Sequence, residues 1–436
     1  MSAATPELVR AGTHTGTTRA VVAASLGNLL EWYDFTVYAL FAPYIASNFF
    51  PGGDRAMNVV KAFLAFGVGF IVRPLGAVLL GIYADRAGRK SALTLAIAVM
   101  ALGTLIIASA PGYAAIGIAA PLLLVLGRLL QGFSAGGEIG GAAAFLVESA
   151  PPGQKGRIAS WLQASMGMSN ILGALVGVAV TNALSGEQLR EWGWRIPFIV
   201  GLLIAPVGLY LRQRLHETRA FEAERERRRR GADASHSPLL TVFRDHWRAL
   251  ATGMGFSILW AVAVYVLIVF APVYVQQAFH FTAAQAFLAS LIGNVFLVSA
   301  CFASGALSDR IGRRAALTGS SCALFIAVLP LFLWLQGAPT TGVLILVQSA
   351  FCAMVGTFVG IAPAMLSELF PTGVRSTGIA LVYNTAITLF GGFAPALLTW
   401  FGRSYGASVL APAGYVTLAA ALALLTMPFV ARQPNA

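Results

Sequence analysis

The sequence predicts an all-α membrane protein in which twelve transmembrane helices form two six-helix bundles. Apolar residues make up 58% of the chain and charged residues 11%, against about 25% charged residues in ordinary soluble domains. The apolar residues lie in runs long enough to cross a bilayer, which takes about 20 residues of helix. A ten-residue motif also occurs twice, which indicates an internal repeat and therefore a chain that divides into two halves.

The repeated motif reads G-x-x-x-D-R-x-G-R-[KR] and begins at Gly81 and again at Gly305. A second match, E-x-x-P-x-G-x-[KR], begins at Glu148 and again at Glu368. The two matches keep nearly the same offset, 224 and 220 residues. This repeat sets the predicted domains: an N-terminal six-helix bundle at 1–211, a cytoplasmic linker loop at 212–248 and a C-terminal six-helix bundle at 249–436.

The apolar runs also place the individual membrane spans. They are predicted at 20–47, 60–83, 91–110, 119–147, 157–183, 194–211, 249–275, 282–306, 316–335, 341–366, 376–401 and 410–431. With a cytoplasmic N-terminus, 22 of the 29 Lys and Arg residues lie inside, 5 outside and 2 within spans. This asymmetry follows the positive-inside rule, so we expect both termini in the cytoplasm. The net charge of +12 then reflects topology and gives no reason to expect a nucleic-acid partner.

The linker 212–248 holds ten of the arginines. We interpret it as a solvated hinge loop between the halves, because charge runs beside membrane spans usually have that role. The alternative is a regulatory contact with anionic lipid.

Charged side chains inside apolar spans are the main functional signal, because a charge near the bilayer centre costs several kcal/mol. At about 1.5 Å of rise per residue, Glu31, Arg73 and Glu138 lie near mid-depth and Asp34 somewhat further out. Arg73 stays charged and matches a carboxylate in shape, so we expect it to bind substrate together with Glu138. Glu31, Asp34 and Glu138 are expected to carry the coupled proton, and Arg128 to take part in this coupling. The alternatives are an ion-pair network that only orients helices and, for Arg128, a gate or an anchor that extends to the membrane surface.

The C-terminal half has no comparable ions inside its spans and offers uncharged polar groups instead. Asn294, Asn384 and Tyr383 are predicted to contact the substrate. The pair Gly391-Gly392 predicts an interruption of span 11, and interruptions of this kind mark binding sites or hinges.

Glycine recurs at helical spacing in spans 4 and 5. Small residues on one face allow helix backbones to approach closely in lipid. Close packing is therefore predicted at Gly132, Gly136, Gly140, Gly173 and Gly177.

Four runs resemble the metabolite:proton symporter family of the major facilitator superfamily: GNLLEWYDF from Gly27, GFIVRPLG from Gly69, GRLLQGFSAGGE from Gly127 and WGWRIPF from Trp192. The repeated motif resembles the loops between spans 2 and 3 and spans 8 and 9 of that superfamily. The resemblance implies alternating access and proton-coupled uptake across a bacterial inner membrane. It implies a cytoplasmic gate. When both copies of the two repeated motifs are included, this gate is predicted at Asp85, Arg86, Arg89, Glu148, Asp309, Arg310, Arg313 and Glu368. We expect a monomer in the lipid bilayer that needs no cofactor and no metal.

Tyr383 and the run FGGFAP from Phe390 resemble the citrate and tricarboxylate branch of the family. The expected substrate is therefore citrate or another di- or tricarboxylate, taken up with a proton. A symporter of a zwitterionic osmolyte (proline or betaine) or of shikimate is the alternative, and a non-transporting membrane sensor is a more distant one.

Other function classes fit the sequence poorly. The G-x-S-x-G match at Ser134 lies within a predicted helix and has no histidine base in the spans, so an enzyme is not expected. ATP-driven transport is disfavoured because no G-x-x-x-x-G-K-[ST] motif occurs. Span 5 also lacks the G-P-x-x-G-G ending by which proton antiporters of the superfamily resemble one another, which favours symport.

Overall fold

A computed structural model describes residues 27–87, 89–213, 238–371, 374–405 and 410–430, together with Val21 and Ser25. It describes the backbone alone at 84–87, 89–90, 93, 138, 204–205, 207–213 and 238–240. Every regular element in these ranges is a helix, which confirms the predicted fold class. The N-terminal tail and the linker residues 214–237 lie outside the described residues.

Nine helices in the described ranges are long and apolar enough to cross a membrane. They are Arg55–Tyr83, Ala119–Glu148, Lys155–Ala183, Trp247–Ala278, Ala283–Ile311, Arg313–Gly337, Thr341–Leu369, Arg375–Tyr405 and Leu410–Phe429. The other three predicted spans correspond to helical residues 27–40 followed by Ala42–Phe49, to Arg89–Ser109 and to Ile196–Gln213. In chain order these helices are spans 1 to 12, which is the order predicted above.

Spans 2 and 4 of the N-terminal half are interrupted next to predicted site residues. Span 2 consists of Arg55–Ile71 and Arg73–Ala87, and span 4 of Ala119–Ala135 and Glu138–Glu148. In both spans the second segment begins with a predicted site residue. Irregular backbone at membrane depth is tolerated only where protein or a water-filled cavity surrounds it, so these interruptions indicate the interior of the bundle.

Two spans of the C-terminal half carry π-helical turns. Span 7 contains one at Tyr265–Phe270, and span 11 contains one at Ile387–Gly391. The predicted interruption at Gly391-Gly392 is therefore confirmed. In span 7 the loosened turn is compensated from span 10, because Gln348 Nε2 donates to the Leu267 carbonyl oxygen at 2.9 Å. Such π-helical turns within α-helices occur frequently at functional sites.

Glycines bring span 4 against span 2. A Cβ atom at Gly132 would overlap the carbonyl oxygen of Gly69, and one at Gly136 would overlap the carbonyl oxygen of Arg73. The predicted close packing of span 4 is thus confirmed. It places the backbone of Arg73 directly against the interruption of span 4.

The two halves meet along two seams, span 5 against span 8 and span 2 against span 11. On the first seam the rings of Trp161 and Phe302 are 4.7 Å apart. On the second, Thr388 Oγ1 donates to the Phe70 carbonyl oxygen at 3.0 Å. The buried core is therefore continuous from one half to the other.

The C-terminal end of the linker is not a plain loop. Pro238–Asp245 is helical, and its Val242 is fully buried within the core. The expectation of a solvated loop over all of 212–248 is wrong at this end, because the apolar Val242 side chain docks the helix against the C-terminal half.

Candidate functional site

Arg73 and Glu31 form a buried ion pair. Arg73 Nη2 donates to Glu31 Oε1 at 2.9 Å, and the two side chains are 0% and 2% exposed. The Arg73 guanidinium carbon also lies 4.8 Å from the centre of the Phe35 ring and 4.7 Å from that of Phe70. Ring contacts of this kind stabilise a desolvated cation. The sequence placed both residues near mid-depth but did not pair them with each other, and it gave no indication of the two rings.

Several buried donors near this pair have no partner within the described part of the chain. They are Arg73 Nε and Nη1, the hydroxyls of Tyr265 and Tyr383, and Trp32 Nε1. The Tyr265 ring lies 5.4 Å from Phe70 and 6.0 Å from Trp32, and Tyr383 lies within electrostatic range of Arg73. Buried polar groups are normally hydrogen-bonded, so this group of donors is suited to an acceptor-rich ligand.

Asp34 belongs to a second cluster, with Arg128. Arg128 Nη1 donates to Gln131 Oε1 at 2.7 Å, and Gln131 Nε2 donates to Asp34 Oδ2 at 3.3 Å. Thr104 Oγ1 also donates to Asp34 Oδ2. The cation and the carboxylate are thus joined through an uncharged amide instead of a direct ion pair.

The outer-anchor interpretation of Arg128 is wrong. The side chain is fully buried, and its guanidinium carbon lies 4.6 Å from the Phe35 and Tyr38 ring centres and 4.7 Å from that of Phe66. Depth along span 4 alone suggested that the side chain reaches the membrane surface. The aromatic faces of spans 1 and 2 hold it inside the bundle instead.

A small cavity lies beside both carboxylates. It has a volume of about 30 Å³, and Glu31 and Asp34 are among its lining residues. A second cavity, of about 10 Å³, lies beside Asn170 and Asn294. These volumes suit one or two water molecules, so both cavities are closed to an organic acid in this conformation.

The predicted amide residues of the C-terminal half lie on the seams between the halves. Asn294 Oδ1 accepts a hydrogen bond from Asn170 Nδ2 at 3.0 Å, and Asn384 Nδ2 donates to the Gly136 carbonyl oxygen at 3.2 Å. Both amides therefore have protein partners in the closed conformation. The side chain of Glu138 lies outside the described residues, so its predicted contacts stay a prediction.

At the end of span 8, Asp309 caps the start of span 5. Its Oδ1 and Oδ2 accept hydrogen bonds from the backbone N–H groups of Gly156 at 2.8 Å and Arg157 at 2.9 Å. The N-terminus of a helix carries unsatisfied N–H groups and a partial positive charge, which favour an anion. Gly305 explains the spacing of the motif, because a Cβ atom there would lie 2.8 Å from the Gly156 carbonyl oxygen. The motif thus joins the two halves.

Ion pairs extend this contact. Arg313 lies 3.2 Å from Asp309 and 2.9 Å from Glu368. Glu148 of the N-terminal half pairs across the boundary with Arg375 at 2.7 Å, a partner that the prediction did not include. We refer to the contacts of Asp309 with span 5 and of Glu148 with Arg375 as the inner latch.

The remaining predicted gate residues do not form part of this latch as described. Arg310 is exposed and has no ion pair among the described residues. The side chains of Asp85, Arg86 and Arg89 lie outside the described residues, so their gate roles stay predictions.

The opposite end of the molecule is joined by a second contact between the halves. Arg403 of span 11 forms an ion pair with Asp54, which also caps the start of span 2. The hydrogen bond from Arg403 holds the pKa of Asp54 below its ordinary value. We refer to this pair as the outer latch.

Sequence reasoning missed residues of two kinds. Asp54 and Arg403 were counted only as charges outside the membrane, and nothing in one sequence indicates that they meet. Gln131 and Thr104 are polar residues within apolar runs, and that signal was available. The aromatic contacts of Phe35 give no such signal, because phenylalanine is common in membrane spans.

Comparison with known proteins identifies the superfamily. The model of the Major Facilitator Superfamily matches residues 24–395. The fold resembles that of the xylose transporter XylE from E. coli in a partially occluded inward-open conformation, with a TM-score of 0.74 at 17% identity over 95% of this chain and 97% of that one. At this identity the likeness concerns the fold alone.

Curated relatives narrow the assignment. A citrate-proton symporter of Salmonella typhi is 37% identical over 92% of this chain and 90% of its own length. A proline/betaine transporter of Salmonella typhimurium is 35% identical over 94% and 82%, and an alpha-ketoglutarate permease of Escherichia coli is 35% identical over 86% and 85%. The chain is thus a proton-coupled membrane transporter and not an enzyme, and it belongs to the metabolite:proton symporter family of the major facilitator superfamily.

Proposed function

We propose that the protein imports a small organic acid, such as citrate or another di- or tricarboxylate, together with a proton. The observation that supports this substrate class is the buried guanidinium of Arg73, whose Nε and Nη1 have no partner among the described residues while Nη2 binds Glu31. A guanidinium binds a carboxylate through two parallel hydrogen bonds from one edge, Nε with Nη2 or Nη1 with Nη2, so a substrate bound in this way takes Nη2 from Glu31. The hydroxyls of Tyr265 and Tyr383, which have no partner in the part of the chain that the structure describes, supply further donors for carboxylate oxygens.

Glu31 couples the substrate to the proton in this proposal. A substrate carboxylate that binds Arg73 competes with Glu31 for the same guanidinium. Glu31 is 1% exposed, and a buried carboxylate that loses its cation is stabilised by taking up a proton. Substrate binding and protonation of Glu31 are then linked, and the pair re-forms once both are released.

Asp34 provides the second proton position. It shares the 30 Å³ cavity with Glu31, and a water molecule in that space would connect the two carboxylates. Arg128 acts on Asp34 through Gln131. The predicted roles of Asp34 and Arg128 in proton coupling follow from this connection.

The two latches provide the gates of the alternating-access cycle. The positive-inside rule puts the inner latch on the cytoplasmic side of a bacterial inner membrane, with both termini in the cytoplasm. Opening the inner latch separates Asp309 from the start of span 5, and opening the outer latch separates Asp54 from Arg403. The closed conformation has both contacts in place.

A zwitterionic osmolyte is the second candidate. The aromatic residues near Arg73 favour it, because aromatic faces bind quaternary ammonium groups. The Trp260 and Tyr383 rings are 4.8 Å apart, and Trp32 and Tyr265 are 6.0 Å apart. Arg73 would bind the carboxylate of betaine or proline, and these rings would contact the ammonium group.

Uptake into proteoliposomes under an imposed proton gradient tests the proposal. Labelled citrate, oxoglutarate, shikimate, proline and betaine form the panel. We expect gradient-dependent accumulation of at least one organic acid, and its loss in Arg73→Ala. Glu31→Gln should retain binding of the acid but lose the response to the gradient, because position 31 then carries no titratable group. Accumulation of betaine or proline alone would select the second candidate.

A further inference from the structure

Gln163 is a buried amide without a function in the mechanism above. It lies in span 5, is fully buried, and neither its Nε2 nor its Oε1 has a hydrogen-bond partner within the described part of the chain. Buried side-chain amides are normally satisfied, and an exception in a membrane interior needs an explanation. A bound ligand is one such explanation.

Gln163 faces the other half of the protein. Residues seven apart on a helix lie within about 20° of each other, so Gly156, Gln163 and Asn170 share one face of span 5. A Cβ atom at Gly156 would lie 2.6 Å from the Gly305 carbonyl oxygen of span 8. Asn170 donates to Asn294 of span 8 at 3.0 Å. Gln163 lies between these two contacts, on the seam that must part when the inner side opens.

A second unpartnered amide atom lies next to the same turn. Asn28 Nδ2 donates to the Leu162 carbonyl oxygen at 2.6 Å and to Ser165 Oγ at 2.9 Å, whereas Asn28 Oδ1 has no partner among the described residues. These two bonds fix the orientation of the amide and leave its oxygen as an acceptor. Asn28 precedes Glu31 by one turn of span 1, so it adjoins the Arg73–Glu31 pair.

We propose that Asn28 and Gln163 form a second subsite, which binds a hydroxyl substituent of the organic acid. A hydroxyl both donates and accepts, so it can donate to Asn28 Oδ1 and accept from Gln163 Nε2. A carboxylate only accepts hydrogen bonds, so it would be repelled by Asn28 Oδ1, which is also an acceptor. This proposal rests on the proposed function, in which Arg73 binds a carboxylate of the same molecule.

The subsite determines selectivity between hydroxy acids and their analogues without the hydroxyl. A site built to hydrogen-bond a hydroxyl strongly rejects an analogue that lacks it, because the polar groups of the site then stay unpaired. Citrate should therefore be preferred over tricarballylate, and malate over succinate. An apolar side chain at position 163 should remove most of this preference.

The test measures inhibition constants of these four acids against labelled substrate uptake in proteoliposomes. We expect at least tenfold tighter binding of the hydroxy acid in one pair or both. In Gln163→Met, which keeps the shape of the side chain, the preference should fall to about twofold while the des-hydroxy acid binds as before. Retained binding of that acid also shows that the variant is folded.

Gln348→Met is the matched control. Gln348 is a buried glutamine whose amide is bound to the Leu267 carbonyl oxygen, so its loss should weaken both acids of a pair equally. An unchanged preference in Gln163→Met, an equal loss for both acids, or no preference in the native protein would overturn the subsite. Failure of all four acids to inhibit would overturn the proposed function as well.

Discussion

Asp309→Asn should shift the protein toward the inward-open conformation. Asp309 binds two backbone N–H groups across the boundary between the halves, at 2.8 and 2.9 Å. Asparagine keeps one acceptor oxygen and presents an NH₂ group at the position of the other. One hydrogen bond to the start of span 5 is therefore lost, and two donors face each other in its place.

The size of the effect follows from the burial of this contact. The Asp309 side chain is 9% exposed, so solvent screens the contact little. A hydrogen bond to a charged group contributes about 1.5–3 kcal/mol, and about 1.4 kcal/mol is a factor of ten. A loss of about 2 kcal/mol then shifts the equilibrium between inner-closed and inner-open conformations about 25-fold.

Electron–electron distance measurements between spin labels can detect this shift. Labels at Gln154 and Arg244 report on the two halves at the end that carries the inner latch, because both residues are exposed. Cys301, Cys322 and Cys352 are first replaced. Asp309→Asn should populate a longer distance.

Arg310→Gln is the matched control for this experiment. Arg310 belongs to the same motif, but it is exposed and has no ion pair among the described residues. Its variant should keep the short distance. Equal distance distributions in Asp309→Asn and in the parent would refute the reasoning, even if transport were slower.

Two further predictions concern packing and pH. Gly132→Val should prevent stable assembly, because its Cβ would overlap the Gly69 carbonyl oxygen, whereas Gly141→Ala should be tolerated, since nothing lies within 4 Å of a Cβ there. Size-exclusion chromatography in detergent distinguishes the two variants. A monodisperse Gly132→Val protein would contradict the packing. Arg403 lowers the pKa of Asp54. Asp54 therefore stays ionised, and the outer latch intact, at any pH above the ordinary Asp pKa of about 3.9, and the charge is lost only as the pH falls through the lowered pKa. Asp54→Asn should therefore change the transport rate without altering the shape of its pH profile between pH 5 and 8, and a displaced profile in uptake assays would disprove this.

The sequence predicted the features that depend on the free-energy cost of placing charges and packing helix backbones in lipid. A charge at mid-depth is costly, so Arg73 and Glu31 were noticed as functional candidates at similar depth, although the sequence did not pair them with each other. Close approach of helices in lipid needs small residues, so Gly132 and Gly136 indicated tight packing. The break at Gly391-Gly392 followed from the same kind of reasoning.

The sequence could not predict features that depend on which helix faces which. Arg128 was placed by its depth along span 4, and depth says nothing about the aromatic rings of neighbouring spans. Asp34 lies one turn from Glu31 yet contacts Thr104 and Gln131, because residues three apart on a helix still differ in direction by about 60°. The ion pair of Arg403 with Asp54 joins residues far apart in the chain, and only the packing of the halves brings them together.

Phe35 contacts the guanidinium groups of both Arg73 and Arg128, at 4.8 and 4.6 Å. A single uncharged ring therefore contacts the cations of both buried clusters at once. Any rotation of the ring that accommodates a ligand at one of them alters the surroundings of the other. Mutagenesis confined to ionisable residues would pass over this position, although its ring contacts both clusters.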